Sequence, residues 1–365
     1  MKLTRVALLC TAIASPAAAQ EFTNPKGSSV KLYGQLSPAY LSYDDGQESN
    51  SGLVDNNNSN SRVGITVNWP FADETSLKFN FETSLGFFQS NNLNITSFDG
   101  QQWYSWSEND IRKLEVSYQA DFGTVWLGQG DMATDKIAEI DFSKTTIIGY
   151  SDYQAVAGGF AFRRTDGTLS SIKVKNVFIN LEGSRRMRLR YDTPDFNGFK
   201  FSAAAGENVL SGDNKYYYDA AIRYENTLGD VKLGAGLGYN YTVPKDGGDA
   251  TEAVMGSVSA LHEPSGVNGT IALGQYMNGG NYVYVKAGWT GDIWDIGSTS
   301  VAAEYYSSND IGLEGSGSSW GLMAVQALKE QSTELYAGYR SYGLDSQTVS
   351  YDDSDSFMVG ARWKF

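Results

Sequence analysis

Residues 184–192 read SRRMRLRYD, with Arg186, Arg188 and Arg190 on one parity and Met187, Leu189 and Tyr191 on the other. A strict period of two is the mark of a β-strand, whose alternate side chains stand on opposite faces. Same-face neighbours are about 6.6 Å apart at strand rise. Adjacent arginines therefore repel by roughly 0.6 kcal/mol in water, and by about 2.5 kcal/mol at an effective dielectric of 20. Such a ladder has no place in a dry core. It needs water and a row of carboxylates on one side, while the opposite face needs an apolar neighbour.

The same alternation runs along the chain. Val63, Ile65, Val67 and Trp69 alternate with Gly64, Thr66 and Asn68, and Leu77, Phe79 and Phe81 with Lys78, Asn80 and Glu82. In 231–241, Val231, Leu233, Ala235, Leu237, Tyr239 and Tyr241 oppose Lys232, Gly234, Gly236, Gly238 and Asn240. Read this way the chain holds sixteen strands, an even number, with short turns and long polar connections in alternation. The Asn/Ser/Asp-rich stretch 44–60 reads as a solvated loop, and the longest connection, 130–183, precedes the arginine strand. Strands of about ten alternating residues, short turns on one rim and long loops on the other describe an all-β transmembrane antiparallel up-and-down β-barrel. A soluble sandwich does not segregate its loop lengths, and no short internal repeat supports a β-helix. On a lipid-facing surface each mid-membrane arginine costs about 2–4 kcal/mol, so Arg186, Arg188 and Arg190 are expected to face the lumen.

The first nineteen residues read as a signal peptide, with basic Lys2 and Arg5, an apolar run over Val6–Ile13 and a small-residue cleavage site at Ala17-Ala18-Ala19. The barrel domain is then 20–365. Cys10, the only cysteine, leaves with the signal, which excludes disulfides, thiolate metal sites and cysteine nucleophiles from the mature chain. The chain's 28 Lys+Arg lose Lys2 and Arg5, so 26 stand against 42 Asp+Glu, a net charge of −16. That balance argues against nucleic-acid binding. No mature stretch approaches eighteen consecutive apolar residues, so no spanning helix is expected.

With these pieces placed, the chain resembles the general porins of Gram-negative bacteria. The likeness lies in Ser61-Arg62-Val63-Gly64-Ile65, in YQADFGTVWLGQ (118–129), in Arg190-Tyr191-Asp192-Thr193-Pro194-Asp195-Phe196 and in the terminal Arg362-Trp363-Lys364-Phe365. The family's usual Gly-Arg after the fifth strand is Gly128-Gln129 here, and the 130–183 loop is longer than usual. The resemblance implies a homotrimer of sixteen-stranded barrels in the outer membrane, among lipids and lipopolysaccharide, each with a water-filled pore. It also implies a third long loop folded inward, with basic wall residues facing acidic loop residues, and Phe365 with Trp363 as a signal to the assembly machinery.

The site residues follow from parity. Arg62, Lys113 (rather than Arg112), Arg186, Arg188, Arg190, Arg340 and Arg362 are expected on the lumen wall. In DMATDKIAEIDF (131–142), Asp131, Asp135 and Glu139 are spaced by four, which a short helix stacks on one face. Ile137 and Ile140 are free to pin that segment, and Asp141 adds a further carboxylate. The expectation is that the ladder faces this acidic row across the constriction. The function so read is passive diffusion of small hydrophilic solutes and ions; the alternative is a specific anion channel, for phosphate or acidic sugars, using the arginine ladder. Neither cofactor nor metal is expected, since loop carboxylates such as Asp44, Asp45 and Asp55 lack the twelve-residue calcium-loop pattern. Nor is an enzyme: His262 sits in a turn beside Glu263, without a lumen-facing serine partner.

Overall fold

A computed structural model of the protein describes residues 20–71, 74–96, 102–311 and 315–365; the expected signal peptide lies outside them. Sixteen strands close into one barrel. β1 is Ser29–Leu36 continued by Pro38–Asp44, and β2 is Ser49–Asp55 continued by Arg62–Pro70. β3 (Ser76–Ser84), β4 (Ile111–Ala120), β5 (Gly123–Asp131) and β6 (Arg185–Asp192) follow. Next come β7 (Phe199–Glu207), β8 (Lys215–Leu228), β9 (Val231–Pro244), β10 (Thr251–His262) and β11 (Val267–Tyr276). β12 (Asn281–Trp294), β13 (Gly297–Asn309), β14 (Ser316–Leu328), β15 (Thr333–Asp345) and β16 (Ser354–Lys364) complete the wall. Each pairs antiparallel with the next, and β16 closes on β1 from Asp355↔Asp44 to Gly360↔Ala39 and again at Gln35↔Lys364. A short strip, Gln20–Thr23, folds back on Ser29–Leu32. Closure pairs β16 with β1, so the sixteen wall strands can cross a layer that offers no hydrogen bonds.

The two faces separate as the alternation requires. Met187 and Leu189 are 46 % and 56 % exposed on the outside, while Arg188 between them is 4 % exposed on the inside. The stretch 44–60 is not a solvated loop, however. Ser49–Asp55 pairs with Pro38–Asp44, and a 3-10 turn, Asn57–Ser59, interrupts β2 and folds into the lumen. There the Asp55 carboxylate accepts hydrogen bonds from Ser61 N at 2.8 Å and Ser61 Oγ at 2.6 Å, and Asn56 Nδ2 donates to Ile147 O at 2.8 Å. Low hydrophobicity misleads here because the inner face of a barrel is itself polar.

The connection from β5 to β6 enters the barrel and packs against one side of it. It carries two single-turn helices, Gln154–Ala157 and Val174–Val177, and a hairpin of Ala161–Arg163 with Leu169–Lys173. Phe160, Phe162 and Phe178 are fully buried: wall Tyr43 stacks on Phe160 at 3.9 Å, wall Tyr306 lies 5.2 Å from Phe178, and Tyr351 of the loop before β16 lies 6.5 Å from Phe162. Burying each such side chain stabilises docking by about 1.5–3 kcal/mol. Wall side chains also satisfy the loop's backbone, since Ser257 Oγ donates to Ile137 O, Tyr282 Oη to Asn180 O and Asn240 Nδ2 to Leu181 O. Buried peptide groups need such partners. The loop is therefore a packed insert and not a loose flap.

Small wall residues make room for it. A Cβ on Gly236 would stand 2.6 Å from Ile137 Cδ1, and one on Gly234 would stand 2.7 Å from Phe142 Cζ. Ile137 and Ile140 thus pin the segment as their side chains suggest. The expected helix over 131–142 does not form; the segment runs in turns, with Lys136 at a positive φ of 63°. Wall contacts every few residues, with Thr134, Ile137, Ile140 and Phe142 in turn, dictate an irregular path that an i, i+4 repeat does not follow.

Candidate functional site, a charged chamber in the lumen

Between the insert and the facing wall lies a chamber of about 520 Å³. Four arginines line it, from alternate strands on one side of the barrel: Arg362 (β16), Arg62 (β2), Arg112 (β4) and Arg185 (β6). Across from them stand the insert's Asp135, Glu139, Asp152 and Glu182, with Lys136 and Tyr150 beside them. Asn57–Asn60, the inward turn of β2, completes the lining.

The wall cations share their carboxylates. Glu82 takes Arg112 Nε at 2.6 Å and Arg62 Nε at 3.6 Å. Asp131 takes Lys113 Nζ at 2.8 Å and Arg185 Nε at 3.2 Å, and Glu334 takes Arg362 Nη2 at 2.5 Å and Lys364 Nζ at 3.1 Å. Each of the three carboxylates thus serves two cations, leaving the wall with surplus positive charge. The insert is the reverse. Among the described residues, none of Asp135, Glu139, Asp152 and Glu182 has a Lys or Arg nitrogen within 4.0 Å. Glu139 Oε1 accepts a long bond from Asn180 Nδ2 at 3.4 Å and the Glu139 carboxylate also meets the Glu182 carboxyl, whose Oε2 accepts from Ala138 N at 3.1 Å. Desolvation, followed by repulsion from neighbouring carboxylates, raises Glu139 to about 8 and holds Glu182 well above the ordinary range. Desolvation, with Asp135 adding to it, raises Asp152 to about 6.

The arginine ladder lies elsewhere, which corrects the expected opposition of ladder and acidic row. Arg188 is locked between Glu115 Oε2 at 2.5 Å and Gly128 O at 3.0 Å. Arg190 bonds Asp192 at 2.8 Å and donates to Met132 O, while Arg186 lies over the Tyr217 ring at 4.0 Å. The ladder grips the root of the insert by its carbonyls, joined by Arg223, which donates to Asp135 O. Arg340 is likewise covered, paired with Glu304 at 2.6 Å and stacked at 3.8 Å on Tyr153. Asp141 is buried in an ion pair with Lys286 at 2.8 Å, both side chains 1 % exposed. Asp131 belongs to the wall and pairs with Lys113.

Parity missed Arg112 and Arg185 for one reason. The pairing shifts between Glu82↔Lys113 and Thr83↔Ile111, a bulge that turns Arg112 inward along with Lys113. Arg185 is the first residue of β6, where the alternation has not yet taken hold. Glu182 and Asp152 carry no periodic signal; a Glu just before an arginine cluster was the one available hint.

A smaller cavity of about 240 Å³ lies beyond the ridge 179–184, lined by Arg186, Tyr217, Asn240 and Tyr276. It shares Asn180 and Glu182 with the chamber, and Thr251 and Tyr276 with a wide vestibule at the long-loop rim. The vestibule, the small cavity and the chamber thus follow one another through the barrel. Among the described residues no cluster of three or more His, Cys, Asp or Glu side chains is placed to hold a metal ion.

Comparison with solved structures agrees with the barrel. An anion-selective porin from Comamonas acidovorans superposes with a TM-score of 0.60 at 17% identity, over 93% of this chain and 100% of that one. OmpF of Salmonella typhi, in a complex with daunomycin, gives 0.60 at 14%, over 95% and 100%. The trimer form of Vibrio cholerae OmpT, folded in vitro, gives 0.57 at 15%, over 93% and 99%. No curated protein matches the chain. A family model described as Gram-negative porin matches residues 6–361. The chain belongs to the Gram-negative porin family, and it is an outer-membrane channel for passive diffusion.

Proposed function

We propose that the chamber is the narrow passage of this channel and sorts small hydrophilic solutes by size and charge. The observation that carries the reading is the insert, packed along one side of the lumen and leaving about 520 Å³ between guanidinium groups and carboxylates. Opposed charges set up a transverse field, strongest where bulk water is excluded. Solutes enter from the vestibule, pass Arg186 and Tyr217, cross the ridge at Asn180 and Glu182, and leave past Arg62 and Arg362. The alternative of a phosphate or acidic-sugar ladder has less behind it, because Arg188 and Arg190 already hold Glu115 and Asp192.

The same reading makes the chain a homotrimer inserted by the assembly machinery, among lipids and lipopolysaccharide, after loss of residues 1–19. It assigns no catalysis, since His262 Nδ1 meets Ser265 Oγ at 2.7 Å within one exposed turn. Planar-bilayer recording with polymers of graded size tests the passage. The expected result is low ohmic conductance with a sharp size limit that rises when the insert is deleted. Unchanged conductance on deleting 140–178 would place the narrow point elsewhere.

A further inference from the structure

We propose that the small cavity beyond the ridge 179–184 is a binding subsite for one ring of a neutral saccharide. The inference rests on reading the vestibule, the cavity and the chamber as one solute path. Strand register builds the cavity wall. Tyr217 on β8 pairs with Thr242 on β9, Thr242 with Thr251 on β10, and Ala253, two residues on, with Tyr276 on β11. Directly paired residues share a face, and all five line the cavity. Two tyrosines thus bracket two threonines and an alanine across three strand spacings, about 14 Å at roughly 4.8 Å each. The carboxylates here serve the protein. Asp219 accepts from Ala133 N at 3.1 Å and from Thr134 N and Oγ1 at 2.7 Å, while Glu182 accepts from Ala138 N and meets Glu139. Arg186 donates to Ser184 Oγ and Arg185 O and lies over the Tyr217 ring. Left for a guest are the Thr242 and Thr251 hydroxyls and the Tyr276 phenol, which make no side-chain hydrogen bond among the described residues. A hydroxyl both donates and accepts, as a sugar hydroxyl does, and a tyrosine ring offers an apolar face with a polar tip to the C–H side of a pyranose. The approach disfavours charge. In the vestibule Asp310 and Asp345 stand among Asn278, Asn309 and Gln347, with no Lys or Arg in the described lining, so an anion is repelled. A cation that enters then meets the Arg186 guanidinium. The cavity's 240 Å³ is the space of roughly eight waters at about 30 Å³ each, which suits one hexose ring.

Single-channel recording in KCl at neutral pH tests this with three probes added on the long-loop side: methyl glucoside, sorbitol (an open chain with similar hydroxyls) and glucuronate (the ring with a carboxylate). Methyl glucoside is expected to lower the current saturably, with half-block in the millimolar range. Sorbitol should lower it only in proportion to viscosity, and glucuronate should need at least threefold more than the glucoside for half-block. Tyr276→Ala should raise the half-blocking concentration of the glucoside about fivefold. Thr242→Val with Thr251→Val, close in shape to the originals, should act in the same direction and serves if the first variant does not assemble. A glucoside effect that does not saturate, equal block by sorbitol or glucuronate, or block unmoved in an assembled variant overturns the proposal. Wild-type conductance without saturable block removes this inference alone. Conductance left unchanged by deleting 140–178 removes the reading of the path and the inference with it.

Discussion

Replacing Lys286 by Met isolates the force that holds the insert in the lumen. Lys286 Nζ donates to Asp141 Oδ2 at 2.8 Å and to Gly149 O at 2.7 Å, and the ion pair is 1 % exposed on both sides. Removing one partner of a buried pair leaves an uncompensated charge and typically costs about 3–5 kcal/mol. Charged to docking of the insert alone, that is a rise in the undocked population of roughly 10²-fold to about 4 × 10³-fold. The barrel's own ladders are untouched, so the loss should be local. Hydrogen exchange reads it directly, because Ile140 N and Phe142 N donate to Ser257 Oγ and Ser259 Oγ only while the insert is docked. Their exchange should accelerate by about two orders of magnitude in Lys286→Met while the barrel strands stay protected. Adding Asp141→Leu removes the stranded carboxylate and should restore most of the protection, since apolar replacement of a whole buried pair is often neutral. Exchange within threefold of wild type in an assembled Lys286→Met barrel would refute the argument.

Gly236→Leu drives a side chain into Ile137, whose Cδ1 lies 2.6 Å from the position of a Cβ; overpacking of about 1–3 kcal/mol should shift the insert and raise single-channel conductance and noise. Acidity acts through Glu139, whose value of about 8 exceeds the ordinary 4.5, so the docked insert holds an extra proton between those limits. Docking is then most favoured below about pH 4.5 and weakens as pH rises through 8. Over that range the chamber gains negative charge beside Asp135, Lys136, Tyr150, Asp152 and Arg185, so reversal potentials in a KCl gradient should move towards cations from pH 5 to pH 9. A flat profile counts against a titrating chamber. Deleting Phe365, whose N–H and C=O exchange bonds with Gly34 at 3.0 and 2.8 Å, should cut the yield of assembled trimer severalfold on heat-modifiable gels.

The barrel was legible because every lipid-facing strand repeats one physical constraint, apolar outside and polar or small inside. Where the constraint is absent the reading failed. Ser49–Asp55 has little apolar outer face apart from Leu53, so composition suggested a loop, yet its backbone pairs residue for residue with Pro38–Asp44. The glycines at 234, 236 and 238 were visible as an inner row. What they accommodate, Phe142, Ile140, Ile137 and Thr134, is a long-range contact that no local pattern records.

The ladder shows why a correct face does not yet give a correct role. Arg186, Arg188 and Arg190 point inward as the alternation demands, but an inward arginine can serve the solute or the protein. Proximity decides between them. β6 lies directly beside β5, from which the insert departs, so Arg188 and Arg190 reach Asp131 O and Met132 O before they reach open lumen. Carboxylates from neighbouring inner positions, Glu115 and Asp192, neutralise them there. The arginines left to face the chamber are those where a bulge or a strand end breaks the alternation, Arg112 and Arg185, together with Arg62 and Arg362 beside the inward turn of β2. A regular strand favours packing of its inner row against the insert, while the bulge at Arg112 and the strand end at Arg185 leave those two side chains to line the chamber.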